Sequence, residues 1–205
     1  MAKKTAVSLA SAAPARAVDK IRATARELFY RQGIRAVGVD EIVQRAGVTK
    51  PSLYRSFASK DELAASYMRD YEADFWTRFD ASAAAHPDDP RRQMIAYFEM
   101  LSGRTRDGYR GCGLTNAVVE YPDSDHPARK VATGHKAALR KRLRDLAKAM
   151  GAERPAELGD ALVLLIEGAL VSGQIFGKGG PSAVLAQTAQ TLIDAHVKPA
   201  RRSGK

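Results

Sequence analysis

Three groups of side chains in this sequence have the types and spacing to do chemistry. The first is a hydroxyl and cationic set, Thr49, Lys50, Ser52, Tyr54, Arg55 and Lys60, crowded into twelve residues. Such donors hydrogen-bond phosphate oxygens and the edges of bases. The second is one thiol, Cys112, in the run Tyr109-Arg110-Gly111-Cys112-Gly113-Leu114-Thr115-Asn116. It precedes a predicted helix, whose N-terminus, with Arg106 or Arg110, favours the thiolate. The plainer reading is a small buried apolar residue. Asn116 and Glu120 follow four apart, either as polar anchors in an apolar cavity or as an ordinary solvated face. The third group is an aromatic stripe, Tyr67, Tyr71, Phe75 and Phe79, whose plain reading is core.

Other chemistry is not expected. The four histidines (86, 126, 135 and 196) have no metal-ligand spacing and no Cys/His cluster accompanies them, so neither metal nor cofactor is implied. There is no phosphate loop, no Ser/His/Asp order and no Gly-x-Ser-x-Gly. Asp88 and Asp89 sit beside prolines and read as loop solvation. An enzyme is therefore the remotest reading.

Helices must position these groups. Val18, Ile21, Ala25, Leu28 and Phe29 recur at spacings of three and four, with Gly33 as a stop. Asp40 to Ala46 reads as a short helix and Gly47-Val48-Thr49 as a tight turn. Thr49 caps a helix over Lys50 to Phe57, with Pro51 in its first turn. Ser59 and Glu62 form a capping box for a long helix carrying the aromatic stripe. His86 to Pro90 breaks the chain, and further helices are predicted over 91–102, 114–121, 131–150, 156–176 and 182–196. The penultimate one is apolar on nearly every side, so it is either central or at an interface. No strand or repeat is evident. The expected fold is all-α with about nine helices.

The chain has 205 residues, 45% hydrophobic and 27% charged, with a net charge of +10. This excludes a disordered acidic chain, and one cysteine excludes an internal disulfide. The first 60 residues carry 12 Lys/Arg and 4 Asp/Glu, whereas the rest carry 21 and 19. Such asymmetry suits a polyanion-binding head on a near-neutral body, or simply a solvated basic surface. The longest apolar stretch, Ala161 to Val171, is too short to span a membrane. With no secretory segment, a reduced, cytoplasmic protein is expected.

Helix, Gly-containing turn, short helix and basic cluster together follow helix-turn-helix logic. The run from Val39 to Leu63 contains Ala46-Gly47-Val48, Leu53-Tyr54…Phe57 and Ser59-Lys60-Asp61-Glu62-Leu63. With the preceding Ala25…Leu28-Phe29…Gly33, it resembles the DNA-binding head of the tetracycline-repressor (TetR) family over roughly residues 15–65. The resemblance implies a homodimeric transcriptional regulator, usually a repressor, released from a palindromic DNA operator by a small molecule in the body. By position, Tyr54 and Lys60 would touch phosphates, while Thr49, Lys50, Ser52 and Arg55 would meet bases or backbone. Val37 and Gly38 stand where the family often has Thr or Ser, which puts one phosphate contact in doubt.

In that family the helix joining head to body commonly lines the ligand cavity. Tyr71, Phe75, Tyr97, Leu101, Cys112, Asn116, Glu120, Leu165 and Phe176 are then the ligand-binding candidates. The Gly-Cys-x-x-x-Asn pattern is similar to that of a branch containing regulators of electrophile or oxidant response, which leaves a thiol switch at Cys112 open. A DNA-binding regulator without a ligand is the other alternative. Expected divisions are a disordered basic arm over 1–14, the head over 15–62, a ligand-binding and dimerisation body over 63–197 and a basic tail over 198–205. The helices over 156–176 and 182–196 are the expected dimer-forming pair, in which Gly168, Ala169, Ser172 and Gly173 would permit close backbone approach.

Overall fold

A computed structural model describes residues 16–102 and 108–197. The expected arm and tail, Gly103 and Arg106 lie outside the described residues. Within these, nine α-helices and one short 3-10 turn are present, and no strand. The all-α expectation holds.

Helix α1 (Ala17–Gln32) buries Ile21, Ala25, Leu28 and Phe29, the three-and-four pattern read from the sequence. Helix α2 (Val39–Ala46) buries Ile42, Val43 and Ala46. It ends at Gly47, whose φ of 62° is left-handed backbone that a side chain disfavours. Helix α3 (Lys50–Ser56) follows directly, and Thr49 Oγ1 accepts the Ser52 N–H at 3.4 Å. Helix α4 (Lys60–Ala84) opens with Ser59 accepting the Glu62 N–H at 3.1 Å. The return bond differs slightly from a standard capping box, because Glu62 Oε2 accepts from Ala58 rather than Ser59.

The body comprises α5 (Pro90–Ser102), α6 (Gly113–Glu120), α7 (Pro127–Ala149), α8 (Pro155–Phe176) and α9 (Leu185–His196). The 3-10 turn Pro181–Val184 occupies what the sequence suggested as the first turn of the last helix. Two apolar clusters form the interior. One joins Ile21, Leu28, Ile42, Leu53 and Leu63 to Cys112, Leu114, Ala117 and Ala132, so packing of the head continues into α6 and the start of α7. The other packs Phe79, Tyr97, Phe98, Leu143, Leu162 and Ile193.

Helix α8 is largely apolar. By length and composition the whole of Pro155–Phe176 matches a membrane span, which the shorter 161–171 stretch did not. It nevertheless carries Asp160, held by Arg140 and Arg144 of α7 at 2.7 and 2.6 Å, and Glu167, held by Lys136 at 2.5 Å. One side packs on α7, where a Cβ on Gly159 would fall 2.8 Å from the Arg144 backbone nitrogen. Close helix approach within the chain therefore occurs at Gly159. Gly168 faces open space, and Leu164 and Ile175 remain 73% and 67% exposed.

Candidate nucleic-acid interface and adjoining cavity

Leu53 and Phe57 anchor α3 to the head interior, which leaves its other faces outward. Thr49, Lys50, Tyr54 and Arg55 are exposed and Ser52 is half-buried. Tyr54, at 50% exposure, is a large aromatic with no packing reason to point outward. The polar groups are pre-ordered: Ser52 Oγ lies 3.0 Å from Thr49 Oγ1 and accepts from Arg55 at 2.8 Å. Lys50 pairs with Asp40 of α2 at 2.7 Å, and that carboxylate raises its pKa. Lys60 is half-buried, so burial lowers its pKa, and its ammonium donates to the Arg35 carbonyl at 3.3 Å. Five of the six residues therefore gather around α3, and Lys60 stands at the start of α4.

Behind the head, a cavity of about 310 Å³ opens between α1, α4, α5, α7 and α8. Of the nine ligand-binding candidates, Tyr71, Phe75, Tyr97, Leu101 and Cys112 line it. The other four do not. Asn116 instead donates to the Arg110 carbonyl at 2.7 Å and braces the approach to α6. Glu120 reaches the head, accepting the Arg35 backbone N–H at 2.8 Å. Leu165 packs against the body core, and Phe176 is 60% exposed at the end of α8. A four-residue spacing places side chains on a common helix face but says nothing of what that face meets.

Sequence reasoning missed several wall residues: Arg26 and Tyr30 of α1, Arg78 of α4, and Lys136 of α7. Tyr30 Oη accepts the Arg110 N–H at 3.0 Å and donates to the Gly111 carbonyl at 3.3 Å. Arg26 pairs with Asp74, and Arg22 with Asp70, tying α1 to α4. Lys136 donates to Glu167, which also accepts from Thr115 at 2.9 Å, and lies 3.5 Å from Cys112 Sγ. A lysine on a helix otherwise basic on its outer face gave no signal of pointing inward. Neighbouring His135 is buried, 4.5 Å centroid to centroid from the Phe75 ring. Burial and, secondarily, the Lys136 charge push its pKa down to about 4.

Residues 21–67 match the family model described as bacterial regulatory proteins, tetR family. The HTH-type transcriptional activator FasR of Mycolicibacterium smegmatis is 56% identical over 39 residues, 19% of this chain and 18% of that protein. The HTH-type transcriptional regulator TcmR of Streptomyces glaucescens is 30% identical over 90 residues, 44% of this chain and 39% of that protein. The chain thus spans well under half the length of these curated relatives. A TetR-family transcriptional regulator from Streptomyces coelicolor is similar throughout. Its crystal structure superposes with a TM-score of 0.78 at 29% identity, covering 87% of this chain and 93% of that one. With a head that fits the family model and a whole chain that superposes on a family member, the chain belongs to the TetR family of transcriptional regulators.

Proposed function

We propose that this chain binds a palindromic DNA operator as a homodimer, acts as a repressor in the cytoplasm, and is released by a small molecule seated in the cavity. The observation that carries this reading is that α1 serves both sites. Its inner face supports α2 and α3, while its Arg26 and Tyr30 line the cavity. A ligand that prefers one setting of α1 against α4 therefore biases the position of α3; a ligand without such a preference shifts nothing.

In this reading Thr49, Lys50, Ser52 and Arg55 meet bases or backbone in the major groove, and Tyr54 and Lys60 hold phosphates. The exposed apolar side of α8, with Leu164, Val171 and Ile175, meets the same surface of a second copy. Two-fold symmetry then presents two α3 helices to half-sites about one helical turn apart or a multiple of it. Capture and sequencing of genomic fragments at near-physiological salt tests this. A few palindromic sites support it, and diffuse binding that vanishes as salt rises removes the specific-regulator reading.

A second reading rests on one contact, the 3.5 Å from Lys136 Nζ to Cys112 Sγ in the cavity wall. A soft electrophile that reaches the cavity and alkylates that sulfur, whose proton leaves to solvent, would then act as the releasing signal. If Cys112→Ser releases DNA as the parent does when treated with candidate electrophiles, this reading falls.

A further inference from the structure

The start of α6 gathers polar groups that an apolar cavity has no need of. Tyr67 is only 4% exposed, and its hydroxyl has no hydrogen-bond partner among the described residues. That hydroxyl lies against Gly113, the first residue of α6. A Cβ there would fall 2.8 Å from Tyr67 Oη and 3.1 Å from the Tyr71 ring, so glycine keeps the approach open. One residue earlier, Cys112 Sγ is 3.5 Å from Lys136 Nζ. Tyr67, Cys112 and Lys136 all line the cavity.

The electrostatics point the same way. Cys112 supplies no side-chain cap to α6, whose first turn carries the positive end of the helix dipole. An ammonium has three donors, and Lys136 commits one to Glu167 and one to the sulfur. The walls also carry Arg26, Arg31 and Arg78, of which Arg26 is already paired with Asp74 and Arg31 with Glu27, the latter at 3.7 Å. A buried hydroxyl without an acceptor is costly, and an anionic acceptor satisfies it best.

We propose that the effector is a carboxylic acid with a flat apolar body of about two fused rings. The body lies between Tyr71, Phe75 and Tyr97. The carboxylate sits at the start of α6, accepting from the Tyr67 hydroxyl and facing the Lys136 ammonium. This assignment rests on the effector reading above and names the class of molecule for that same cavity. A volume of about 310 Å³ is at the small end of ligand pockets, which suits a compact acid.

Calorimetric titration of the full chain with 2-naphthoate, 2-acetonaphthone and 2-naphthylmethylamine tests the charge at constant shape. The acid is expected to bind at least about tenfold more tightly than the ketone or the amine. Tyr67→Phe weakens the acid by about tenfold. The pair Lys136→Gln with Glu167→Gln, which keeps a neutral hydrogen-bonded couple, weakens the acid similarly and leaves the ketone unchanged. Ketone or amine binding as tightly as the acid overturns the acid class and leaves the effector cavity standing. Acid binding that neither variant weakens overturns the acid class in the same way. Silence from all three probes also overturns the acid class. In that event 1-aminoanthracene, a neutral fluorophore, separates the two readings. Fluorescence that Leu101→Trp abolishes keeps a cavity for another ligand class, and no fluorescence takes both readings down.

Discussion

Glu120 Oε2 accepts the backbone N–H of Arg35 at 2.8 Å, joining the last residue of α6 to the loop that precedes α2. The contact is tightened from both sides. The Arg35 guanidinium donates to the Glu120 carbonyl at 3.3 Å, and a Cβ on Gly33 would fall 3.1 Å from the Glu120 carboxylate. Arg129 of α7 donates to the Val118 and Tyr121 carbonyls at 2.6 and 2.7 Å, anchoring the same end of α6 to the body. The other end of α6 carries Cys112 and Gly113 beside the cavity. One short helix therefore spans the distance from the cavity wall to the head.

Glu120→Ala is expected to cost about 1 kcal/mol, the net worth of a hydrogen bond to an exposed backbone donor. Its larger effect falls on signalling: operator affinity without effector stays near parental, while effector-driven release is blunted. Chemical denaturation and fluorescence-anisotropy release curves read the two separately. Parental release by this variant means that the head senses the cavity through α1 alone.

On α3, Tyr54→Phe and Arg55→Ala alter exposed groups, so stability should change by less than about 0.5 kcal/mol. DNA affinity should fall in both. If Tyr54 and Arg55 hold phosphates, the slope of log affinity against log salt drops by about one for the arginine and stays constant for the tyrosine, which carries no charge. Asp40→Asn frees Lys50 from its 2.7 Å partner. That change is expected to strengthen binding to any duplex and steepen the salt slope. Weaker binding by Asp40→Asn would mean that the pair orders α3 rather than restraining Lys50.

Leu164→Glu and Ile175→Glu place charge on the exposed apolar side of α8 without touching the interior. Sedimentation should report monomers, and far-ultraviolet dichroism should stay unchanged. Operator affinity should fall sharply, since one head alone forfeits the second half-site. A dimer that survives both substitutions locates the two-fold interface elsewhere.

His135 makes stability depend on pH. Glu72 Oε1 lies 3.5 Å from its Nδ1, which favours the proton, but burial and the adjacent Lys136 outweigh it and hold the pKa down to about 4. In the unfolded chain the ring titrates near 6.5. Between those values the unfolded chain binds a proton that the folded chain refuses, so stability falls as pH falls from about 6.5 to about 4. The loss reaches about 3 kcal/mol when complete. Asp160 is lowered by Arg140 and Arg144, so its own contribution starts to be lost in the ordinary carboxylate range, where the unfolded side chain takes up its proton, and it adds to the His135 loss only at the acid end of this window. Urea denaturation at pH 7 and pH 5 measures the slope, which His135→Phe should flatten. An unchanged slope in that variant assigns the acid sensitivity to other groups.

Periodicity and capping are local, so the sequence by itself determined the helices and the head. Ile21, Ala25, Leu28 and Phe29 can share a face only in a helix. Thr49 and Ser59 cap whichever turn follows them, and the outer side chains of α3 are exposed because Leu53 and, just past its end, Phe57 take the interior. The cavity was legible in part, at Tyr71 and Phe75 of the aromatic stripe and at Tyr97, Leu101 and Cys112, but apolar size alone did not decide it, since Leu165 and Phe176 lie elsewhere. Tertiary structure decided the rest. Glu120 turned to the head because the Arg35 N–H lay there needing an acceptor, and Phe176 stayed outside because α8 ends beyond the core. Lys136 turned inward because Glu167, more than thirty residues away in sequence, arrives opposite it when α8 packs on α7. Charges find partners across helices, and spacing along one helix carries no record of which partner that will be.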